Sequence, residues 1–76
     1  MMSIKVSEVT VKRKFGERLR ELRKSRSLSQ EKLAFETGMD LTSINEIEMG
    51  RRSPTLVTIC KIAKALKVNG GQLLPF

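Results

Sequence analysis

The sequence has no histidine and a single cysteine, Cys60. The first absence removes imidazole as a general base and as a metal ligand. The second removes an internal disulfide and any zinc site built on cysteines. Lone Ser and Thr hydroxyls have no His to activate them, and no spacing of lysines or carboxylates points to another base. An enzyme is not expected, nor a catalytic residue, metal or cofactor. A thiol without a partner fits a reducing, cytoplasmic setting, and Cys60 reads as an inert helix residue. No apolar run approaches the ~20 residues that span a bilayer, and the N-terminus carries no signal-peptide pattern. No membrane partner is expected.

The chain has 76 residues. That is one domain at most, and a domain this short buries only a small core. It leaves no room for a separate ligand-sensing or oligomerisation domain, so no small-molecule ligand is expected. Apolar residues are 39% and charged residues 30%, a balance suited to a compact domain rather than a disordered tail. No internal repeat, linker or low-complexity tract is visible.

The formal net charge is +7, which favours a polyanionic partner, nucleic acid before an acidic protein or a membrane surface. The charge is zoned. Residues 12–26 hold eight basic residues against Glu17 and Glu21. Residues 29–48 hold five acidic residues against Lys32 alone, and residues 51–67 hold five basic residues and no acid. Two basic zones flank an acidic middle.

Residues 1–10 contain Ile4, Val6 and Val9, with Val11 following. This β-branched, partly alternating stretch fits a short strand or a loose arm, and an N-terminal arm over 1–10 is the preferred reading, with the domain proper at 11–76. From Val11 onward the period becomes helical: Val11, Phe15, Leu19 and Leu22 share one face, with Arg13, Glu17, Arg20 and Lys24 opposite. Ser29 suits an N-cap for a short second helix over about 30–37, with Leu28 and Leu33 at the staple positions and Gly38 as the stop. The same grammar repeats at once: Asp40 as N-cap, Met39 and Ile44 as staple, Gly50 as stop. Two capped short helices so close together read as helix-turn-helix. A fourth helix is expected over about 55–67, and Gln72–Leu74 can add one more turn after Asn69–Gly70–Gly71. The expected core is Leu19, Leu22, Leu33, Ala34, Ile44, Ile47, Ile59, Ile62 and Leu66. The fold class is all-α.

The ordered motifs Leu28-Ser-Gln-Glu-Lys-Leu-Ala, Gly38, Thr42-Ser-Ile-Asn-Glu-Ile-Glu-Met-Gly50, Arg52-Ser-Pro-Thr-Leu56 and Lys61-Ile-Ala-Lys-Ala-Leu66 resemble the phage-repressor/Cro family, also called the XRE-type helix-turn-helix family. The resemblance covers about residues 12–74. It implies a compact five-helix, lambda-repressor-like DNA-binding domain, with the helix-turn-helix formed by helices 2 and 3. It also implies insertion of the third helix into the major groove and a homodimer on a palindromic operator. The small size further resembles Cro-like repressors and the controller proteins of restriction–modification systems.

On that reading the third helix offers Thr42, Ser43, Asn45 and Glu46 outward. Asn can bond adenine bidentately, Glu can accept from cytosine N4, and a Thr methyl can touch a thymine methyl. Glu46 can equally be a bystander, since phosphates repel it. Leu41 at the helix start can meet a thymine methyl or merely pack. Arg51 and Arg52 are expected to hold phosphates or bases, and Ser29 and Gln30 to offer a helix N-terminus and an amide to a phosphate. Family resemblance pairs Arg23 with Glu48 as a structural ion pair. Met49 stands where the family often has a polar or basic residue. Gly70 and Gly71 interrupt the usual start of the last helix; the C-terminal Phe76 can fold back on its own core or meet a partner, and the preferred reading is that the segment leaves its domain and, with the outer edge of the fourth helix, brings Leu73, Leu74 and Phe76 to a dimer interface. Double-stranded DNA is the expected partner. The alternative from another class is a protein-interaction module or antitoxin that uses the same fold against an acidic protein.

Overall fold

The computed structural model describes residues 5–76. Among them are five helices and no strand: α1 Glu8–Ser25, α2 Gln30–Thr37, α3 Leu41–Glu48, α4 Leu56–Leu66 and α5 Gly70–Leu73. Each helix starts on a short polar side chain that accepts from a backbone N–H three residues on: Ser7, Ser29, Asp40, Thr55 and Asn69. Such caps satisfy one of the orphan donors of the first turn and are worth about 1 kcal/mol each.

The helix-turn-helix has the expected bounds. Gly38 closes α2 in the left-handed conformation, and Asp40 opens α3 two residues later. Leu28 and Met39, the staple residues, are half-buried against the core, whereas Leu33 and Ile44 are fully inside it. α3 packs on α1 and α2, α2 on α4, and α5 closes against α1 and α4. The shared core is Phe15, Leu19, Leu33, Ala34, Ile44, Ile47, Ile62, Ala63, Leu66 and Leu73. Leu22 and Ile59, expected inside, are only partly buried at its edge.

Three expectations need correction. The arm over 1–10 is too long: Ser7 caps α1, and Glu8–Thr10 are already helical. Residues 1–4, including Ile4, lie outside the described residues. The last helix is well made despite its two glycines. Asn69 and Gln72 form a reciprocal capping box, and Arg18 Nε donates to the Gln72 carbonyl at 2.8 Å. Leu73 is consequently fully buried in its own domain and has no surface to offer a partner. Leu74 is half-buried on the same core, and only Phe76 of the three stands out, 68% exposed.

The C-terminal end of α3 is held from three sides. Arg23 on α1 meets Glu48 through two bonds, Nε to Oε2 at 2.6 Å and Nη2 to Oε1 at 3.0 Å. Its third donor, Nη1, reaches the Leu28 carbonyl at 2.7 Å, and both charged side chains are buried. Gly16 brings the α1 backbone against the same place: a Cβ there would stand 2.5 Å from the carbonyl oxygens of both Ile47 and Glu48. Gly50, at φ +74, turns the chain just outside, its Cα side facing the Arg13 backbone.

Two outcomes follow for stability. Gly16→Ala gains about 1 kcal/mol of helix preference but forces α1 and α3 apart, so a net loss of about 1–3 kcal/mol is expected; a urea midpoint that stays or rises contradicts the close approach. Arg23→Ala and Glu48→Ala should each cost roughly 3–5 kcal/mol, because each strands a buried charge. The double variant should cost much less than the sum, and additive losses in denaturant melts would mean that the pair is not coupled.

Candidate nucleic-acid interface

α3 has one exposed side, and its short length is set by Asp40 and Gly50. Asp40 Oδ1 accepts from the Ser43 N–H at 2.7 Å. That backbone bond, and after it the Ser43 hydroxyl, holds the Asp40 carboxyl below its ordinary value of 3.8, with the Arg52 charge adding to the effect. The cap is therefore an ionised acceptor at neutral pH, and its stabilisation fades only as pH falls through that lowered value.

Ile44 and Ile47 anchor the inner side of α3. Its outer side carries Leu41, Thr42 and Met49, all exposed, with Asn45 and Glu46 half-buried beside them. Two fixed rows of side chains border this strip. On the α2 side, Gln30 Nε2 donates to Glu48 Oε1 at 3.0 Å, and Asn45 Nδ2 approaches Gln30 Oε1 at 3.4 Å. The row thus runs Arg23, Glu48, Gln30, Asn45 from the buried ion pair to the surface. A cleft beside it is lined by Arg20, Arg23, Gln30, Asn45, Glu48 and Met49. On the other side, Arg52 lies back along α3. Its Nη1 donates to Ser43 Oγ at 2.6 Å, and its Nη2 stands 3.1 Å from Glu46 Oε2.

Of the expected site residues, Gln30 meets Asn45, and Arg52 meets Ser43 and Glu46. Ser43, expected outward, is buried, and its hydroxyl receives Arg52. Its position on α3 places it beside Ile44 and Ile47 on the inner side once the helix is docked. Glu46 is paired with Arg52 instead of standing free. Gln30 and Asn45 are bonded to each other, which orients both amides. Ser29 spends its hydroxyl on capping α2 through the Lys32 N–H at 3.0 Å, and its side chain stays exposed at that helix end. Arg51 is exposed in the loop, and Leu41 is 44% exposed, so it is not a core residue. Arg20 and Met49 complete the face. Arg20 was legible only as one charge among eight, and nothing in the α1 pattern singles out which of them faces α3. No group of three or more potential metal-ligating side chains occurs among the described residues. None of their helices is long and apolar enough to cross a membrane.

Residues 19–73 match the helix-turn-helix family model HTH_3. The control protein C.BamHI of Bacillus amyloliquefaciens is 49% identical over 63 residues, covering 82% of this chain and 78% of that protein. The HTH-type transcriptional repressor RghR of Bacillus subtilis is 46% identical over 55 residues, but those span 71% of this chain and only 41% of the repressor. Among solved structures, the restriction-modification controller protein C.AhdI of Aeromonas hydrophila superposes with a TM-score of 0.80 at 47% identity, covering 82% of this chain and 94% of the other. An XRE-type domain with its helix-turn-helix face exposed, matched at this identity by regulators, is a DNA-binding module and not an enzyme: the chain belongs to the HTH_3 helix-turn-helix family and is a transcriptional regulator homologous to restriction–modification controller proteins.

Proposed function

We propose that this chain is a cytoplasmic control protein of the restriction–modification type. It acts as a homodimer that reads a palindromic operator through the major groove with α3. The observation that carries this reading is the outer strip of α3: exposed Thr42 and Leu41, with Asn45 and Arg52 held in place on its two borders. Fixed amides and guanidinium groups suit base edges, because little side-chain entropy is lost on docking. The similarity to C.BamHI and C.AhdI across most of all three chains supports the assignment to controllers. In this reading Arg51, Ser29 and the α2 N-terminus hold phosphates, while Thr42, Asn45 and Leu41 meet bases.

Pairing is assigned to the surface that carries the first turn of α4 and Phe76. Leu56 and Val57 on the first turn of α4 are 77% and 65% exposed. Phe76 borders two grooves that share Val11, one lined by Phe15, Pro54, Ile59 and Leu74 with Lys12 at its edge, the other by Val6 and Thr10 with Lys5 and Lys14. Exposed apolar residues gathered this way mark a protein contact. Two reading helices about 34 Å apart would then face successive major grooves.

DNA binding is checked by fluorescence anisotropy against the duplex upstream of the chain's own gene and against random duplex, over a range of KCl. Preference for the upstream duplex is expected, with a steep salt slope. Arg51→Ala should weaken both complexes and make the slope shallower by about 0.9. A wild-type slope near zero, or capture of an acidic protein with no duplex binding, overturns the regulator reading. Dimerisation is checked by sedimentation. Val57→Asp and a chain ending at Leu74 should both raise the dimer dissociation constant at least tenfold while leaving the monomer fold, which keeps Leu73, intact. Unchanged self-association in both places the contact elsewhere.

A further inference from the structure

Resting on the DNA-reading role of α3, the geometry points to a task for Glu46 that differs from reading a base. We propose that Glu46 is a positioning residue for Arg52 and that it sets the sequence discrimination of this chain.

Arg52 comes from the loop after α3, where a free arginine would sweep a wide arc and settle on whichever phosphate came near. Here it does not sweep. Ser43 Oγ takes one of its N–H groups at 2.6 Å, and the Glu46 carboxylate stands 3.1 Å from Nη2. Ser43 is a buried anchor, so the contact point cannot wander. Glu46 and Ser43 lie three residues apart on α3, on neighbouring turns of one side. Together they lay the guanidinium along the border of the reading strip. The Arg52 side chain is still 46% exposed, so part of it stays open to a docked duplex. Asp40, whose charge also reaches Arg52, is tied to the Ser43 N–H as the cap of α3.

Charge decides what the arrangement does. Long-range attraction to phosphates is the same for every sequence. A guanidinium paired with a carboxylate carries no net charge toward the backbone, so Arg52 adds little to binding at random sites. Its donors keep their direction, and direction is what a guanine edge rewards. Glu46 thus converts Arg52 from a charge that helps everywhere into a fork that helps only where the base fits.

The test uses the full chain, an operator duplex selected from a randomised pool by the wild-type protein, its single-base-pair variants, and a scrambled duplex of equal composition. Glu46→Gln should bind the scrambled duplex several-fold more tightly and steepen its salt slope by about 0.9. The operator-to-scrambled ratio should fall about tenfold, within the range that one base pair carries, with the loss concentrated at one position of each half-site. Glu46→Asp keeps the charge but withdraws it by one methylene; it should lower the ratio without steepening the slope. In an Arg52→Ala background, Glu46→Gln should leave the ratio unchanged. A Glu46→Gln protein that keeps the wild-type ratio, or loses it equally with and without Arg52, overturns the positioning role. A wild-type chain that binds neither duplex overturns the DNA-reading role itself, and that result is distinct from either.

Discussion

The bond on which the domain depends is the buried pairing of Arg23 with Glu48. It joins α1 to the C-terminal end of α3, and the third Arg23 donor ties the loop before α2 through the Leu28 carbonyl. The free Glu48 valence then passes to Gln30 at the start of α2. Three helices thus share one carboxylate. A buried pair of this kind adds little net stability over a well-packed apolar substitute. Its effect lies in geometry, since these bonds form together only where α1, the start of α2 and the end of α3 meet. No buried side-chain polar atom among the described residues lacks a partner. Gly16 makes the arrangement possible by letting α1 approach the carbonyl end of α3, and Arg23, seven residues on and so two turns along the same side, closes it.

The charge zones acquire a simple explanation. Most of the acidic middle is engaged by other groups of the chain, though only Glu48 is buried. Glu48 faces Arg23, Glu46 faces Arg52, Glu36 faces Lys32 at 3.3 Å, and Asp40 caps α3. A carboxylate consumed by an ion pair or a cap no longer opposes a polyanion as a free charge does. Each ion pair spends one basic charge with one acidic charge, so the net charge stays +7 and only the local acidity of residues 29–48 is masked. The exposed pairs along α1, Arg13 with Glu17 and Arg18 with Glu21, are short-range helix contacts of small energy.

Much of the helix-turn-helix was legible because its signals are local. Ser29, Gly38, Asp40 and the two staple pairs act within one turn of their own helix, so reading them needs no knowledge of neighbours. The start of α1 was obscured by Val6, Val9 and Val11, whose β-branched pattern hid the Ser7 cap and its bond to the Thr10 N–H. The last helix was obscured in the opposite way. Gly70 and Gly71 suggested looseness, while the Asn69–Gln72 capping box and the Arg18 bond to Gln72, 54 residues away, hold it. A two-residue motif can be read from sequence; a partner 54 residues off cannot.

Composition and spacing by themselves determined a helical domain with a helix-turn-helix and a polyanionic partner: no histidine, one cysteine, a basic excess and two capped short helices in tandem exclude a metal or nucleophile site built on those residues, and the resemblance of the ordered motifs to the XRE-type family added DNA binding. Tertiary structure decided what each reading-face residue does. Ser43 and Glu46 looked like outward hydrogen-bonding groups because helical position tells only which way a residue points on an isolated cylinder. Docking α3 into its neighbours buried Ser43, and the loop after Gly50 returned Arg52 across both. Leu73 looked free for a partner until α5 folded it into the core. In each case the deciding contact joins residues on different elements, and its geometry exists only after the helices have packed.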